Sequence, residues 1–104
     1  MDRSEVWWAD LPPPLGRRPV LILTRSAAVA VRNQVVVAQI TTTVHGLRSE
    51  VTLTPADGLP RDCVVNCDVL LTVPKARLTT RIAKLSQGRM NSVAQALKFA
   101  MELP

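Results

Sequence analysis

Two runs of β-branched residues limit what this chain can fold into more than any other feature of its sequence. The runs are Arg18–Thr24 and Val35–Thr41. Such runs are typical of β-strands, because branched side chains pack well on a pleated surface. If the two strands pair in antiparallel fashion, the start of the first lies beside the end of the second. Arg18 and Thr41 are therefore expected to meet at one edge of a sheet.

Other short segments also have the character of strands, and proline and glycine separate them. The further predicted strands are Glu5–Asp10, Glu50–Leu53, Cys63–Leu71 and Thr80–Leu85. Turn signals stand at residues 12–16 and 55–60, where prolines remove ladder donors and glycines permit tight turns. The stretch Arg25–Asn33 fits either a helical turn or more strand, and we treat it as a connection. Six short strands with brief links indicate a mainly β protein.

The C-terminal segment changes to the spacing of a helix. Apolar residues recur there at intervals of three and four, at Met90, Val93, Ala94, Leu97 and Met101. Ser86 stands where it can cap the start of this amphipathic helix. Short strands and one terminal helix favour a small closed antiparallel barrel with the helix packed against it, because closure removes exposed edges. At 104 residues the chain is expected to form one domain, residues 1–104.

The charge balance favours a polyanionic partner. The chain has 13 lysines and arginines against 8 acidic residues, a net charge of +5. A guanidinium and a hydroxyl, such as those of Arg18 and Thr41, together bind phosphate without a metal ion. The only aromatic residues are Trp7, Trp8 and Phe99, which disfavours modules that stack bases on several rings. Of the adjacent tryptophans, one is expected to face the core and the other to face outward.

Cysteine and histidine usage argues against disulfides and metal sites. Cys63 and Cys67 lie four residues apart in a predicted strand, about 13 Å at a rise of ~3.4 Å per residue, which is too far for a disulfide. We expect buried free thiols and, with one histidine in the chain, no metal or other cofactor.

No apolar run approaches the ~20 residues of a membrane span, and no signal peptide opens the chain, so we expect a cytoplasmic protein.

Seven motifs in a common order resemble the MazF/PemK family of toxin endoribonucleases, also called mRNA interferases. The motifs are Glu5–Asp10, Arg18–Leu23, Val36–Thr42, Gly58–Asp62, Asn66–Asp68, Thr72–Val73 with Arg77–Leu78, and the closing helix. The resemblance implies an SH3-like barrel, a homodimer, and metal-independent cleavage of single-stranded RNA by attack of the 2′-hydroxyl. It further implies a type II toxin-antitoxin system, in which a cognate antitoxin places an acidic tail in the RNA groove.

The resemblance also assigns roles to individual residues. It places the family's catalytic arginine at Arg18 and its catalytic threonine at Thr41, the pair that strand pairing brings together. For both residues we predict electrostatic stabilisation of the transition state. His45, the one side chain whose ordinary pKa lies near neutrality, is a candidate for proton transfer or else a plain exposed loop residue. Residues predicted to contact RNA are Arg17, Thr42, Thr43, His45, Arg48 and Ser49, with Arg61 as a further candidate along the backbone.

The chain departs from the family pattern at several positions. Ser4 stands where relatives usually have glycine, and Pro12–Gly16 replaces a longer first loop that contains a Ser-Glu-Gln stretch. Val69 and Leu71 stand where Gln and Arg often follow the family's Cys-Asp pair. Base contacts are therefore not transferred from relatives, and the cleaved RNA motif stays open.

Two other functions fit the same fold class. A CcdB-like gyrase poison acts through a Trp-Gly-Ile tip on its last helix, whereas this chain ends in Met101–Pro104. A non-catalytic SH3-like RNA-binding module would bind RNA with the same salt dependence and leave it intact. The resemblance favours the endoribonuclease over both alternatives.

Overall fold

Six antiparallel strands form a single sheet in the computed structural model, which describes residues 1–104. The strands are β1 (Glu5–Asp10), β2 (Arg17–Ile22), β3 (Gln34–Thr41), β4 (Glu50–Leu53), β5 (Cys63–Pro74) and β6 (Leu78–Lys84). Their order across the sheet is β4-β5-β3-β2-β1-β6. The mainly β prediction is confirmed, and β1 and β4 have the predicted bounds. β5 is longer than predicted because it pairs with β3 as far as Pro74, opposite Gln34.

Two helices complete the fold, α1 (Ser26–Val31) and α2 (Gln87–Ala100). α1 lies within Arg25–Asn33, so this stretch contains a helix where a connection is predicted from the sequence. Its Val29 is fully buried, so tertiary packing stabilises a helical turn in a segment with no clear period of its own. No helix in the structure has the length and apolar character that a membrane span requires.

α2 carries the predicted cap and most of the predicted stripe. The Ser86 side chain accepts a hydrogen bond from the backbone N–H of Arg89 at 3.1 Å, which confirms the cap. Met90 and Val93 are buried as predicted, and Ala96 joins them. Met101 lies beyond the end of the helix and is 55 % exposed, so it does not belong to the core.

The sheet curls into a half-barrel, and its end strands β4 and β6 are not hydrogen-bonded to each other. Packing closes this gap in place of the strand pairing that a fully closed barrel would have. The 3₁₀ turn Pro55–Asp57 follows β4, and the Asp57 carboxylate accepts a hydrogen bond from Arg89 Nε of α2 at 3.0 Å. Gly58, with φ of +93°, comes so close to β6 that a Cβ there would lie 2.9 Å from the Ala83 Cβ.

Two hydrophobic clusters cover the two faces of the sheet. Leu21 belongs to the larger cluster of 15 buried residues, whereas Val20 and Ile22 belong to the smaller cluster of 9, as strand alternation requires. α2 contributes to the larger cluster and α1 to the smaller one. Cys63 and Cys67 are free thiols in the larger cluster, as predicted.

The register of β2 against β3 positions the candidate site. Val20 pairs with Gln39, Leu21 with Ala38, and Ile22 with Val37. Continuing this register by two positions places Arg18 opposite Thr41, where β2 begins and β3 ends.

Candidate functional site

A cleft of about 450 Å³ opens at this edge of the sheet. Its apolar lining includes Ile40, Leu59 and Cys63, which belong to the larger core cluster. Its polar lining consists of two threonines and three arginines: Thr41, Thr42, Arg17, Arg18 and Arg61. A cleft with an apolar floor and several cationic groups around it suits a ligand that carries both a ring and a phosphate.

Arg18 is half-buried in this cleft and is oriented by the loop before it. Its Nε donates a hydrogen bond to the carbonyl oxygen of Leu15 at 2.8 Å. The terminal nitrogens of the guanidinium make no hydrogen bond within the protein and keep their N–H groups for an anion. Leu15 is held in place because its side chain packs on the smaller core cluster and its N–H donates to the Pro12 carbonyl at 3.1 Å.

Thr41, like Arg18, is half-buried and is oriented by the residues that follow it. Its Oγ1 accepts a hydrogen bond from the backbone N–H of Thr43 at 3.1 Å. Since the hydroxyl accepts on that side, its own proton is free to be donated to a ligand. The structure therefore confirms the spatial prediction that Arg18 and Thr41 share one accessible cleft, each with unused donors.

The predicted RNA contacts divide between the cleft and a neighbouring loop. Arg17 and Thr42 line the cleft, as does the further candidate Arg61. The cleft lining does not include the other predicted contacts, which belong to the loop after β3 and are Thr43, His45, Arg48 and Ser49.

Contacts within the structure explain the position of this loop. The Glu50 carboxylate accepts from the backbone N–H of His45 at 3.0 Å and of Leu47 at 3.1 Å, which holds the loop at the start of β4. The Arg48 guanidinium lies 4.4 Å from the centre of the Phe99 ring of α2. Ser49 is 1 % exposed and donates its hydroxyl to the Asp68 carboxylate, so its side chain is committed to the fold.

The two adjacent tryptophans have different surroundings, which settles a question that the sequence leaves open. Trp7 packs on the smaller core cluster and donates its indole N–H to the Glu5 carboxylate at 2.9 Å. Trp8 lines the cleft, and the Arg17 guanidinium carbon lies 4.7 Å from the centre of its ring. Sequence reasoning expected one ring on each face, and no signal in the sequence placed the outer ring in the cleft.

The titratable groups of the cleft are its arginines and Cys63. Burial raises the pKa of the Cys63 thiol, and the negative charges of Asp57 and Asp62 raise it further. This thiol is therefore neutral near pH 7 and is not a nucleophile. No Asp, Glu or His lines the cleft, so its chemistry is that of charge stabilisation by donors.

Comparison with known families identifies a match over nearly the whole chain. The family described as PemK-like, MazF-like toxin of type II toxin-antitoxin system matches residues 2–101. The chain is 42% identical over 101 residues to the probable endoribonuclease MazF5 of Mycobacterium tuberculosis, which covers 96% of this chain and 92% of that protein. It is 41% identical over 99 residues to the probable endoribonuclease MazF2 of the same species, with 94% and 95% covered.

Solved structures of similar proteins have the same fold. The Mycobacterium tuberculosis toxin MazF-mt6 superposes with a TM-score of 0.89 at 37% identity, covering 96% of this chain and 98% of that one. A mycobacterial endoribonuclease in complex with its cognate antitoxin superposes with a TM-score of 0.90 at 30% identity, covering 100% and 97%. The predicted mainly β fold with a terminal helix is thus confirmed over nearly the whole of each chain, whereas the predicted closure of the barrel is wrong, because β4 and β6 do not pair.

Proposed function

Because the chain belongs to the PemK-like, MazF-like family of type II toxins, we propose that its cleft cleaves single-stranded RNA with Arg18 and Thr41 as the catalytic residues. The protein is an endoribonuclease toxin of a toxin-antitoxin system. One observation carries the assignment of the site. Arg18 and Thr41 lie at the same sheet edge and line the same cleft, and each has donors that no protein group uses.

The proposed reaction uses the RNA's own 2′-hydroxyl as the nucleophile. Its oxygen attacks the neighbouring phosphorus, the bond to the 5′-oxygen breaks, and the products are a 2′,3′-cyclic phosphate and a free 5′-hydroxyl. Charge grows on the non-bridging phosphoryl oxygens in the transition state. The terminal nitrogens of Arg18 and the hydroxyl of Thr41 donate hydrogen bonds to these oxygens, and each such donor is worth about 3–4 kcal/mol.

Proton transfer in this proposal takes place through solvent. A guanidinium has N–H donors and no acceptor, so Arg18 donates a hydrogen bond to the leaving 5′-oxygen, which takes its proton from water. The 2′-hydroxyl loses its proton to water, since no carboxylate or imidazole lines the cleft. His45 is the alternative base, and an unchanged pH profile of cleavage in His45→Ala would exclude it.

The decisive experiment incubates the folded protein with a long single-stranded RNA in excess EDTA. We expect fragments with cyclic phosphate and 5′-hydroxyl ends. Arg18→Ala and Thr41→Ala should each slow cleavage about 100-fold or more, with thermal unfolding unchanged. Arg32→Ala is the matched control, because Arg32 is exposed after α1 and does not line the cleft. Intact RNA with the wild-type protein, or cleavage abolished by EDTA, would contradict the proposal.

The proposed partners are an antitoxin and a second copy of the chain. A related endoribonuclease is known in complex with its cognate antitoxin, and three arginines around the cleft suit an acidic antitoxin segment. Apolar residues exposed at the end of α2 support a homodimer: Phe99, Met101 and Leu103. Light scattering should report the mass of two chains.

The free thiols of Cys63 and Cys67 fit the reducing cytoplasm, where the RNA substrate is located.

A further inference from the structure

Trp8 is the one aromatic ring that the cleft offers to a ligand. The chain has two tryptophans, one phenylalanine and no tyrosine. Trp7 is committed to the smaller core cluster and to Glu5, and the Phe99 ring lies under Arg48 at α2. Trp8 is half-buried and lines the cleft, so its ring has both a fixed position and an accessible part.

Trp8 and Arg18 line the same cleft. Trp8 in β1 pairs with Pro19 in β2, so the two side chains reach the cleft from opposite faces of the sheet edge. A nucleotide whose phosphate is bound by Arg18 and Thr41 therefore has this ring as a near neighbour. Because the base and the phosphate are joined through one sugar, a single nucleotide can occupy both parts of the cleft.

The Arg17 guanidinium lies over the face of the Trp8 ring. The guanidinium carbon lies 4.7 Å from the ring centre, a distance at which the cation is attracted to the face of the indole. The guanidinium is itself planar, and nucleobases stack on such planes as they do on aromatic rings. Arg17 is exposed, whereas Trp8 is half-buried, so the pair forms a layered surface that faces solvent at the cleft.

We infer that Trp8 and Arg17 form a stacking platform for one nucleobase of the bound RNA, beside the cleaved linkage. This inference rests on the proposed function, since it takes RNA as the ligand of the cleft. Every base has a π-face, so the platform adds affinity at one nucleotide position without selecting a particular base. Arg18 and Thr41 act on the linkage, while Trp8 and Arg17 hold the nucleotide that carries it.

The test measures binding, so that it does not depend on catalysis. A short single-stranded RNA with a 2′-deoxy nucleotide at the mapped cleavage position lacks the nucleophile and stays intact. A series of such oligonucleotides carries one abasic nucleotide at each position around that linkage. For the wild-type protein, fluorescence anisotropy should show one position at which base removal weakens binding about 10-fold.

Variants of Trp8 then identify the partner of that base. Trp8→Ala should weaken binding of the complete oligonucleotide about 10-fold and should lose the sensitivity to the abasic position. Trp8→Phe keeps an aromatic face and should retain most of the sensitivity, which also covers the case in which the alanine variant folds poorly. Arg17→Ala should reduce the sensitivity only in part, because the indole face remains.

A matched control separates stacking from the loss of any large ring. Trp7→Phe alters the neighbouring tryptophan in the core and should leave the abasic sensitivity intact in the folded protein. The inference is overturned if Trp8→Ala keeps the full sensitivity, or if no abasic position affects the wild-type protein. Retained cleavage by Arg18→Ala would instead contradict the catalytic assignment and leave the binding result standing.

Discussion

At the scale of single residues, Ser4 shows a local conformational cost that the fold imposes. Its φ is +76°, in the left-handed region that costs a residue other than glycine about 1–2 kcal/mol. Its N–H donates to the Ile22 carbonyl at 3.1 Å, and its carbonyl accepts from the Leu85 N–H at 2.9 Å. These bonds join the ends of three strands, so the backbone cannot relax without losing them. A glycine at this position meets the same demand without strain.

We predict that Ser4→Gly stabilises the protein. Relief of the left-handed strain outweighs the greater entropy that glycine has in the unfolded chain, and we expect a net gain of about 0.5–1 kcal/mol in the free energy of unfolding. Urea denaturation measures the difference. Ser92→Gly, in the middle of α2, is the opposite control and should lose a similar amount. A less stable Ser4→Gly protein would contradict this account.

At the scale of secondary structure elements, the loop between β1 and β2 orients Arg18, the proposed catalytic arginine. Its prolines restrict the backbone, and the Leu11 N–H donates to the Gly16 carbonyl at 3.1 Å across the base of the loop. The Leu15 carbonyl is thereby fixed where it accepts from Arg18 Nε. The short stiff loop thus orders the Arg18 side chain before RNA binds, which lowers the entropy cost of binding.

Replacing Pro12 and Pro13 with serine should affect the turnover rate more than RNA binding. A more flexible loop presents the Leu15 carbonyl less accurately, so Arg18 loses alignment toward the transition state. We expect kcat to fall about 3–10-fold while KM changes less than twofold. Steady-state cleavage of a fluorogenic RNA measures both constants. Pro104→Ser, at the far end of the chain, is the control, and an unchanged kcat in the loop variant would refute the positioning role.

The turn that closes the barrel gap should respond to pH. The Arg89 hydrogen bond lowers the pKa of Asp57, and the backbone N–H of Thr54 lowers it further. A carboxyl whose pKa is lower in the folded state stabilises the fold above its unfolded pKa. That contribution is lost as the pH falls through the folded value. The Asp57 carboxylate thus connects the turn to α2 at neutral pH and releases it in acid.

Asp57→Asn should therefore destabilise the protein by about 1 kcal/mol at neutral pH, the typical value of a lost helix-capping interaction. The difference from the wild-type protein should shrink as the pH falls below the ordinary carboxyl range, because both proteins then lack the charge. Thermal unfolding measured from neutral to acidic pH follows this change. Asp62→Asn alters an exposed carboxylate nearby and should show no such convergence.

At the scale of the whole molecule, three of the 13 lysines and arginines line the cleft at the sheet edge. The chain carries a net charge of +5, and Arg17, Arg18 and Arg61 all line one cleft. Their common position follows from the curl of the sheet, because Arg61 precedes β5 while the other two begin β2. A polyanion bound there releases counterions, so its affinity depends on salt.

The logarithm of the affinity for the uncleavable RNA should fall linearly with the logarithm of the salt concentration. Removing one phosphate contact from a single strand should reduce the slope by about 0.7. We expect this reduction for Arg61→Ala, with Arg32→Ala as the control that leaves the slope unchanged. Anisotropy titrations between about 50 and 200 mM salt measure it. Equal slopes for the two variants would place Arg61 outside the RNA path.

Local signals account for the parts of the fold that the sequence predicts correctly. β1 ends where three prolines follow it, and β4 ends before Pro55, so their bounds depend on nearby residues only. The segment of α1 has no such signal. Its alanines and valines suit a helix or a strand, and burial of Val29 under the sheet decides between them. Met101 follows the helical spacing, but the helix ends before it reaches the core.

The sequence by itself determined the antiparallel strands and the meeting of Arg18 with Thr41, because strand alternation and the pairing of neighbouring strands are short-range properties. Only the tertiary structure decided which other groups share the cleft with them. Trp8, the Leu15 carbonyl and Arg61 come from separate segments, and the curl of the sheet brings them together. That curl results from packing across the whole chain, between α2, the turn after β4 and the two core clusters, so no local pattern encodes it.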